Sequence, residues 1–177
     1  IVSNGLKILN DTPHLKNLGM RKMLEILELS EHVRSGDLGF RIGPCINAAG
    51  RLDDAALGLK MLTTTDEREV VKLVNELITL NEERKELTAQ ATNNAIAQIE
   101  EMKALEKPVL VIYLKDCHES VAGIVAGRIR EKYYRPAYVL TDGEKGLKGS
   151  GRSIPGYHMQ QALQNCQEIL TEFGGHA

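Results

Sequence analysis

Aromatic residues are scarce in this sequence: of 177 positions none is tryptophan, two are phenylalanine and five are tyrosine. Stacking of nucleic-acid bases on aromatic platforms is therefore a weak expectation. Cysteine is scarce too. Cys45, Cys117 and Cys166 lie far apart, are odd in number and form no C-x-x-C, which reads as three reduced thiols in a cytoplasmic protein rather than a zinc site or redox pair. No stretch approaches the ~18 consecutive apolar residues of a membrane span, and no basic-then-apolar leader opens the chain. His14, His32, His118, His158 and His176 are scattered without H-x-x-x-H spacing, so no metal site is expected. Neither G-x-x-x-x-G-K-S/T nor G-x-S-x-G occurs, which removes the Walker phosphate loop and the nucleophile elbow of serine hydrolases.

What remains is 42% hydrophobic and 26% charged with a formal charge of −2, a balance that suits packed domains and excludes disorder. The length fits one generous domain or two small ones. The first residue, Ile1, and the closing Gly174-Gly175-His176-Ala177 read as cut from a longer chain. Charge is unevenly spread. Residues 1–107 carry 14 basic and 17 acidic side chains and residues 108–177 carry 8 and 7; between Arg128 and Arg152 there are 7 basic and 3 acidic. A polyanion responds to such local excess, although a solvated helix face would give a similar count.

Thr12-Pro13 predicts an N-cap with proline at the first helical position, and Leu15, Leu18, Met23, Leu24, Leu27 and Leu29 continue a helical stripe. The glycine- and proline-punctuated residues 40–51 predict a loop, with a helix resuming at Asp53-Asp54. Asp66 and Glu69 predict a capping box, after which no Gly or Pro intervenes until Pro108. About 40 residues at ~1.5 Å each reach about 60 Å, too long for one small core, so this helix connects two bodies or pairs in a coiled coil. Residues 109–114 form a continuous apolar run suited to a strand buried on both faces. Val121, Ile124, Val125 and Ile129 then mark a helix ending at Tyr133-Tyr134, and residues 136–141 a second strand. Strand, helix, strand is a βαβ unit with parallel pairing. The fold class is α/β: a helical segment and a long connecting helix leading into a mixed-sheet α/β domain.

Four short segments could carry chemistry. In Lys148-Gly149-Ser150-Gly151-Arg152-Ser153, two glycines allow close approach to an anion, the serines add hydroxyls, and Lys148 and Arg152 add charge; a β-turn with solvated ends explains the same residues. Ile46-Asn47-Ala48-Ala49-Gly50-Arg51 leaves room for a ligand or for a neighbouring backbone. His118 follows the first strand, where open α/β sheets gather ligands, and is either an N-cap or a substrate contact; Gly123 and Gly127 predict a thin helix face for packing on the sheet. Gly174-Gly175-His176-Ala177 offers an imidazole on an approachable backbone.

Taken in order, Gly43-Pro44 with Ile46-Asn47-Ala48-Ala49-Gly50-Arg51-Leu52, the run from His118-Glu119-Ser120 through Ala126-Gly127-Arg128, Tyr134-Arg135-Pro136, Lys148-Gly149-Ser150-Gly151-Arg152-Ser153 and Gly174-Gly175-His176-Ala177 resemble the RecJ-type single-stranded-DNA exonucleases of the DHH phosphoesterase superfamily. The resemblance implies that residues 1–62 are the C-terminal helical part of a DHH domain, 63–107 a connecting helix and 108–177 a DHHA1 domain truncated at its C-terminus. It implies that Arg51 reaches a 5′-phosphate pocket, that Ser150 and Arg152 bind that phosphate, and that His176 contacts the DNA backbone. Asn47, Lys148 and Ser153 would be further phosphate or DNA contacts. The D-H-H motif and the aspartates that hold two Mn²⁺ or Mg²⁺ ions in the family would precede Ile1, so neither catalytic nor metal residues are expected in this chain, and alone it is expected to hydrolyse nothing. The implied parent is a cytoplasmic, monomeric 5′→3′ exonuclease of DNA repair and recombination acting on 5′-phosphorylated single strands, with single-strand-binding protein or a helicase as partner. The alternatives are a DHH phosphodiesterase for short oligonucleotides or cyclic dinucleotides, and a non-catalytic nucleic-acid scaffold.

Overall fold

The computed structural model describes residues 1–52, 54–144 and 146–175; Asp53, Lys145 and His176, all used in the sequence reading, lie outside these. The chain divides into two compact units, Ile1–Lys85 and Glu86–Ala177. Among the described residues no helix is long and apolar enough to cross a membrane.

The first unit is helical: α1 (Val2–Asn10), a 3₁₀ turn (Thr12–His14), α2 (Leu18–Ile26), α3 (Ser35–Asp37), a π-helical segment (Leu38–Ile42), α4 (Gly43–Leu52), α5 (Ala56–Thr63) and the first part of α6 (Glu67–Glu101). Thr12-Pro13 does not start the stripe helix as expected. It seeds only the 3₁₀ turn, and α2 restarts at Leu18, where Asn17 caps it by accepting from the Met20 N–H at 2.8 Å. The core combines Met23, Leu24, Val33, Ile42, Ala49, Met61, Val70, Val74 and Leu77.

The expected loop over residues 40–51 is helix instead. The π-helical segment supplies the reason. Its wider turn lets the Gly43 N–H donate to the Leu38 carbonyl, so the ladder shifts just before Pro44, which has no N–H to offer. A Cβ on Gly43 would sit 2.7 Å from that carbonyl oxygen, so glycine is what lets the chain turn there.

At the start of α6, Asp66 Oδ1 accepts from the Arg68 and Glu69 N–H groups at 2.7 and 3.1 Å. The predicted capping box is half made. Glu69 does not return to the Asp66 N–H but accepts from Thr64 Oγ1 at 2.6 Å and pairs with Lys60 at 2.8 Å. The helix runs 35 residues and ends at Glu101, before Lys103 (φ 50°) and a 3₁₀ turn (Ala104–Glu106).

In the second unit β1 (Leu110–Tyr113), α7 (Glu119–Tyr133) and β2 (Ala137–Gly143) make the expected βαβ with parallel pairing, and β3 (Gly146–Arg152) adds antiparallel to β2. The sheet order is β1-β2-β3, mixed as expected. α7 buries Val121, Ala122, Val125, Ala126 and Ile129 with Ala137 and Val139 of β2, Leu110 and Ile112 of β1, and Ala91, Ala95 and Ile99 of α6. β1 is not buried on both faces. Leu110 and Ile112 point inward while Val111 is 58% exposed. Tyr134 closes α7 in the left-handed region, φ 50°.

Candidate functional site

β3 decides the site in the second unit. The hexapeptide does not form the β-turn that was one of its two readings: residues 148–152 lie in this edge strand, after the turn at Glu144. Side chains alternate across a strand, and the register sets Arg152, Ser150 and Lys148 opposite Ala137, Val139 and Thr141 of β2. Those three β2 residues face the core, so the two cations and the serine share the α7 side of the sheet. The glycines serve the other side. A Cβ on Gly149 would lie 2.7 Å from Leu140 Cδ2, and one on Gly151 would lie 2.5 Å from Met159 Sδ and 2.9 Å from the Tyr138 ring. They make room for packed neighbours rather than for a ligand.

On the α7 side, a cavity of about 280 Å³ is lined by Glu119, Ser120, Ala122, Thr141, Lys148, Gly149 and Ser150. Its contents are polar and partly spoken for. Lys148 Nζ pairs with Glu119 Oε2 at 2.7 Å, and that hydrogen bond raises the Lys148 pKa above its ordinary value. Thr141 is fully buried and its hydroxyl donates to the Cys117 carbonyl. Arg152 Nη1 donates to the Gly151 carbonyl at 2.7 Å. His118 is the N-cap of α7: its Nδ1 accepts from the Ser120 N–H at 3.3 Å and meets Ser120 Oγ at 2.6 Å. Of its two expected roles, the capping one is present.

Ser153 stands apart from this face. Its hydroxyl donates to the Tyr157 carbonyl at 2.6 Å and fixes the turn that follows β3. Of the expected thin helix face, Gly123 does lie against the sheet, at β3, while a Cβ on Gly127 would meet nothing within 4 Å among the described residues; the core contact is made by the alanines and valines beside them. A Cβ on Gly123 would instead meet the Arg152 guanidinium.

In the first unit, Asn47 and Arg51 lie four residues apart on the exposed side of α4, with Cys45, Ala48 and Ala49 buried beneath. Four residues is one helical turn, so the two side chains are neighbours. Arg51 sits in the last turn, where the carbonyl end of a helix favours a cation. Burial raises the Cys45 and Cys117 thiols above their ordinary pKa, and all three cysteines are unpaired in disulfides, as their number suggested. Glu119, Ser120 and Thr141 were not singled out as cavity residues by the sequence reading. Only the cross-strand register and the helix docking reveal them.

Among the described residues no group of three or more His, Cys, Asp or Glu could hold a metal ion. The donor set does not fit one, and no step of chemistry is assigned to a metal in this chain.

Residues 106–177 match the DHHA1 domain family. The single-stranded-DNA-specific exonuclease RecJ of Escherichia coli K12 is 37% identical over 168 residues, covering 90% of this chain and 29% of that protein. The RecJ of Bacillus subtilis 168 is 34% identical over 180 residues, covering 99% of this chain and 22% of that protein. Among solved structures, an exonuclease RecJ bound to manganese superimposes with a TM-score of 0.86 at 32% identity, over 99% of this chain and 42% of that one. RecJ from Thermus thermophilus, in complex with Mn²⁺, gives 0.81 at 32% identity over 93% of this chain and 24% of that one. The chain thus spans less than a third of the length of these curated relatives. Over nearly its whole length the chain is thus similar to one part of the RecJ exonucleases, and the DHHA1 match falls on residues 106–177.

Proposed function

We propose that this chain is the DNA-end and backbone-binding part of a 5′→3′ single-stranded-DNA exonuclease. The observation that carries the reading is the row of Lys148, Ser150 and Arg152 on one face of β3, beside a polar cavity. A terminal phosphate monoester carries more charge than an internal diester, and an arginine fork with hydroxyl donors beside it recognises that difference. Ser150 and Arg152 hold the phosphate, with Lys148 joining when it leaves Glu119. Ser153 supports them by holding the turn. Asn47 and Arg51, neighbours on α4, are further phosphate contacts, and His176 meets the DNA backbone. Residues 1–62 complete a DHH domain, residues 63–107 act as the connecting helix, and residues 108–177 form the DHHA1 domain.

The Mn²⁺ or Mg²⁺ seen with the RecJ neighbours belongs, on this reading, to residues of the longer protein. That protein acts as a cytoplasmic monomer in DNA repair and recombination, on single strands with a 5′ phosphate, and meets single-strand-binding protein or a helicase there. The test is a product assay with Mn²⁺. The full-length protein should release mononucleotides from the 5′ end of phosphorylated single-stranded DNA, and the isolated 177-residue chain should release none. Mononucleotides from the isolated chain, or a full-length protein that cleaves only dinucleotides, would overturn the reading.

A further inference from the structure

We propose that Gly123 is the positioning residue for the Arg152 guanidinium, so that a missing side chain on α7 sets selectivity for a phosphorylated DNA end. The proposal rests on the reading of Ser150 and Arg152 as phosphate contacts and adds the element that aims them.

Glycine in a helix interior is unfavourable relative to alanine, because more backbone freedom is lost on folding. α7 nevertheless carries two, Gly123 and Gly127. They differ in what surrounds them. A Cβ on Gly127 would meet nothing within 4 Å among the described residues. A Cβ on Gly123 would lie 2.9 Å from Arg152 Nη2, 3.5 Å from Arg152 Cζ and 3.5 Å from Ser150 Oγ. The guanidinium therefore occupies the space that a side chain at position 123 would fill, lying against the helix next to the serine hydroxyl. Its other terminal nitrogen, Nη1, is tied to the Gly151 carbonyl at 2.7 Å. Helix on one side and its own strand on the other define where the planar fork sits.

The kind of neighbour matters. A methyl group on Gly151 would drive into the Tyr138 ring as well as Met159, and a rigid ring gives way less readily than the end of a long chain. A methyl group on Gly123 would meet the far end of a long, exposed side chain. The fork can swing away at little expense, so the fold survives while the geometry is lost. Bidentate recognition depends on the orientation of the fork, so a guanidinium displaced by even about 1 Å no longer matches its phosphate.

The experiment uses the full-length protein and measures equilibrium binding to single-stranded oligonucleotides with a 5′ phosphate or a 5′ hydroxyl, without divalent metal so that nothing is cleaved. Four variants are compared: Gly123→Ala, Gly127→Ala, Arg152→Ala and the double variant Gly123→Ala/Arg152→Ala. Gly123→Ala should retain or raise the melting temperature and reduce the preference for the phosphorylated end on the order of tenfold, the scale of one lost charge-assisted hydrogen bond. Gly127→Ala should leave that preference unchanged. The double variant should match Arg152→Ala, because Gly123 acts through that arginine. If Arg152→Ala itself keeps the preference, the phosphate-contact reading fails and this proposal with it. If Arg152→Ala loses the preference while Gly123→Ala keeps it, only the proposal fails. Equal losses in Gly123→Ala and Gly127→Ala, or strictly additive effects in the double variant, would also overturn it.

Discussion

Between residues 1 and 85 the buried core is mostly leucine, methionine and isoleucine, with Met23, Leu24, Met61 and Leu77 prominent, whereas the core of the α/β unit is mostly alanine and valine: Ala91, Ala95, Ala122, Ala126 and Ala137 with Val121, Val125 and Val139. The difference follows from what packs on what. Helices in the first unit mesh through long side chains, and where two backbones close in, at Gly19 against Met61, even a methyl group is too much. In the second unit α7 rests on a sheet through small residues, and the helix face left over borders polar side chains of β3. Both units use glycine to bring packed groups close, at Gly19 in the first and at Gly149 and Gly151 in the second. The second alone, at Gly123, leaves room beside a cation.

The largest effect expected from this contrast is at Leu24, fully buried in the helical core. Leu24→Ala should destabilise by about 2–5 kcal/mol, the lost transfer energy plus a cavity. Hydrogen exchange should register the loss at α2 and α4 amides, with the β2 amides of Val139 and Thr141 keeping their protection. Equal loss at both would show that the two cores open as one. Gly19→Ala comes next. Its Cβ would stand 1.9 Å from the Met61 carbonyl oxygen and 2.6 Å from its sulfur, so overpacking should cost about 3 kcal/mol in denaturant unfolding. Gly123→Ala should go the other way, gaining up to about 1 kcal/mol of helix propensity. The same sign at both sites would break the comparison of glycines.

On the proposed reading, Arg152→Ala in the full-length protein should weaken binding to 5′-phosphorylated DNA by about 1–3 kcal/mol, and Arg51→Ala by a similar amount. Binding to 5′-hydroxyl DNA should change less, and equal losses on both ends would make these arginines structural. The smallest expected effect is at Glu69, half-buried at the start of α6. Hydrogen bonds from Lys60 and then from Thr64 lower its pKa below the ordinary 4.5, and the same partnership raises Lys60 above 10.5. A lowered carboxylate pKa adds stability that is full above 4.5 and disappears as pH falls through the folded value; the raised Lys60 adds stability that is full below 10.5 and is lost as pH rises through its folded value. Glu69→Gln should therefore lower the melting temperature slightly between those two values, with the deficit vanishing in acid. A deficit undiminished in strong acid would assign the effect to helix capping alone.

The βαβ unit and the long helix are legible in the sequence because their signals are periodic and local: apolar runs of strand length, a stripe from Val70 to Ile99, and no Gly or Pro across it. α4 reads as a loop because Gly43 and Pro44 are ordinarily helix breakers, and nothing local says that a π-helical turn absorbs the missing N–H. β3 is hidden for a related reason. Gly149 and Gly151 look like turn residues, yet they are glycine because Leu140 and Tyr138 project across the sheet from β2. That depends on a register visible only once strands pair. Of the candidate residues, Lys148, Ser150 and Arg152 do share one face. Ser153 falls away from them because the strand ends at Arg152, and the Glu119 partner of Lys148 is invisible in the sequence because it comes from another element.

That ion pair has a consequence for ionic strength. A cation on a nucleic-acid-binding surface contributes to the salt dependence of affinity when phosphate contact releases small ions into solution. Lys148 already has an anion of its own in Glu119, at 2.7 Å, so on the proposed reading DNA displaces a carboxylate that stays tethered to the protein. The slope of log affinity against log salt should therefore fall when Arg152 is removed and hardly move when Lys148 is. Replacing Glu119 by Gln should bring Lys148 into the slope, steepening it by roughly one phosphate contact.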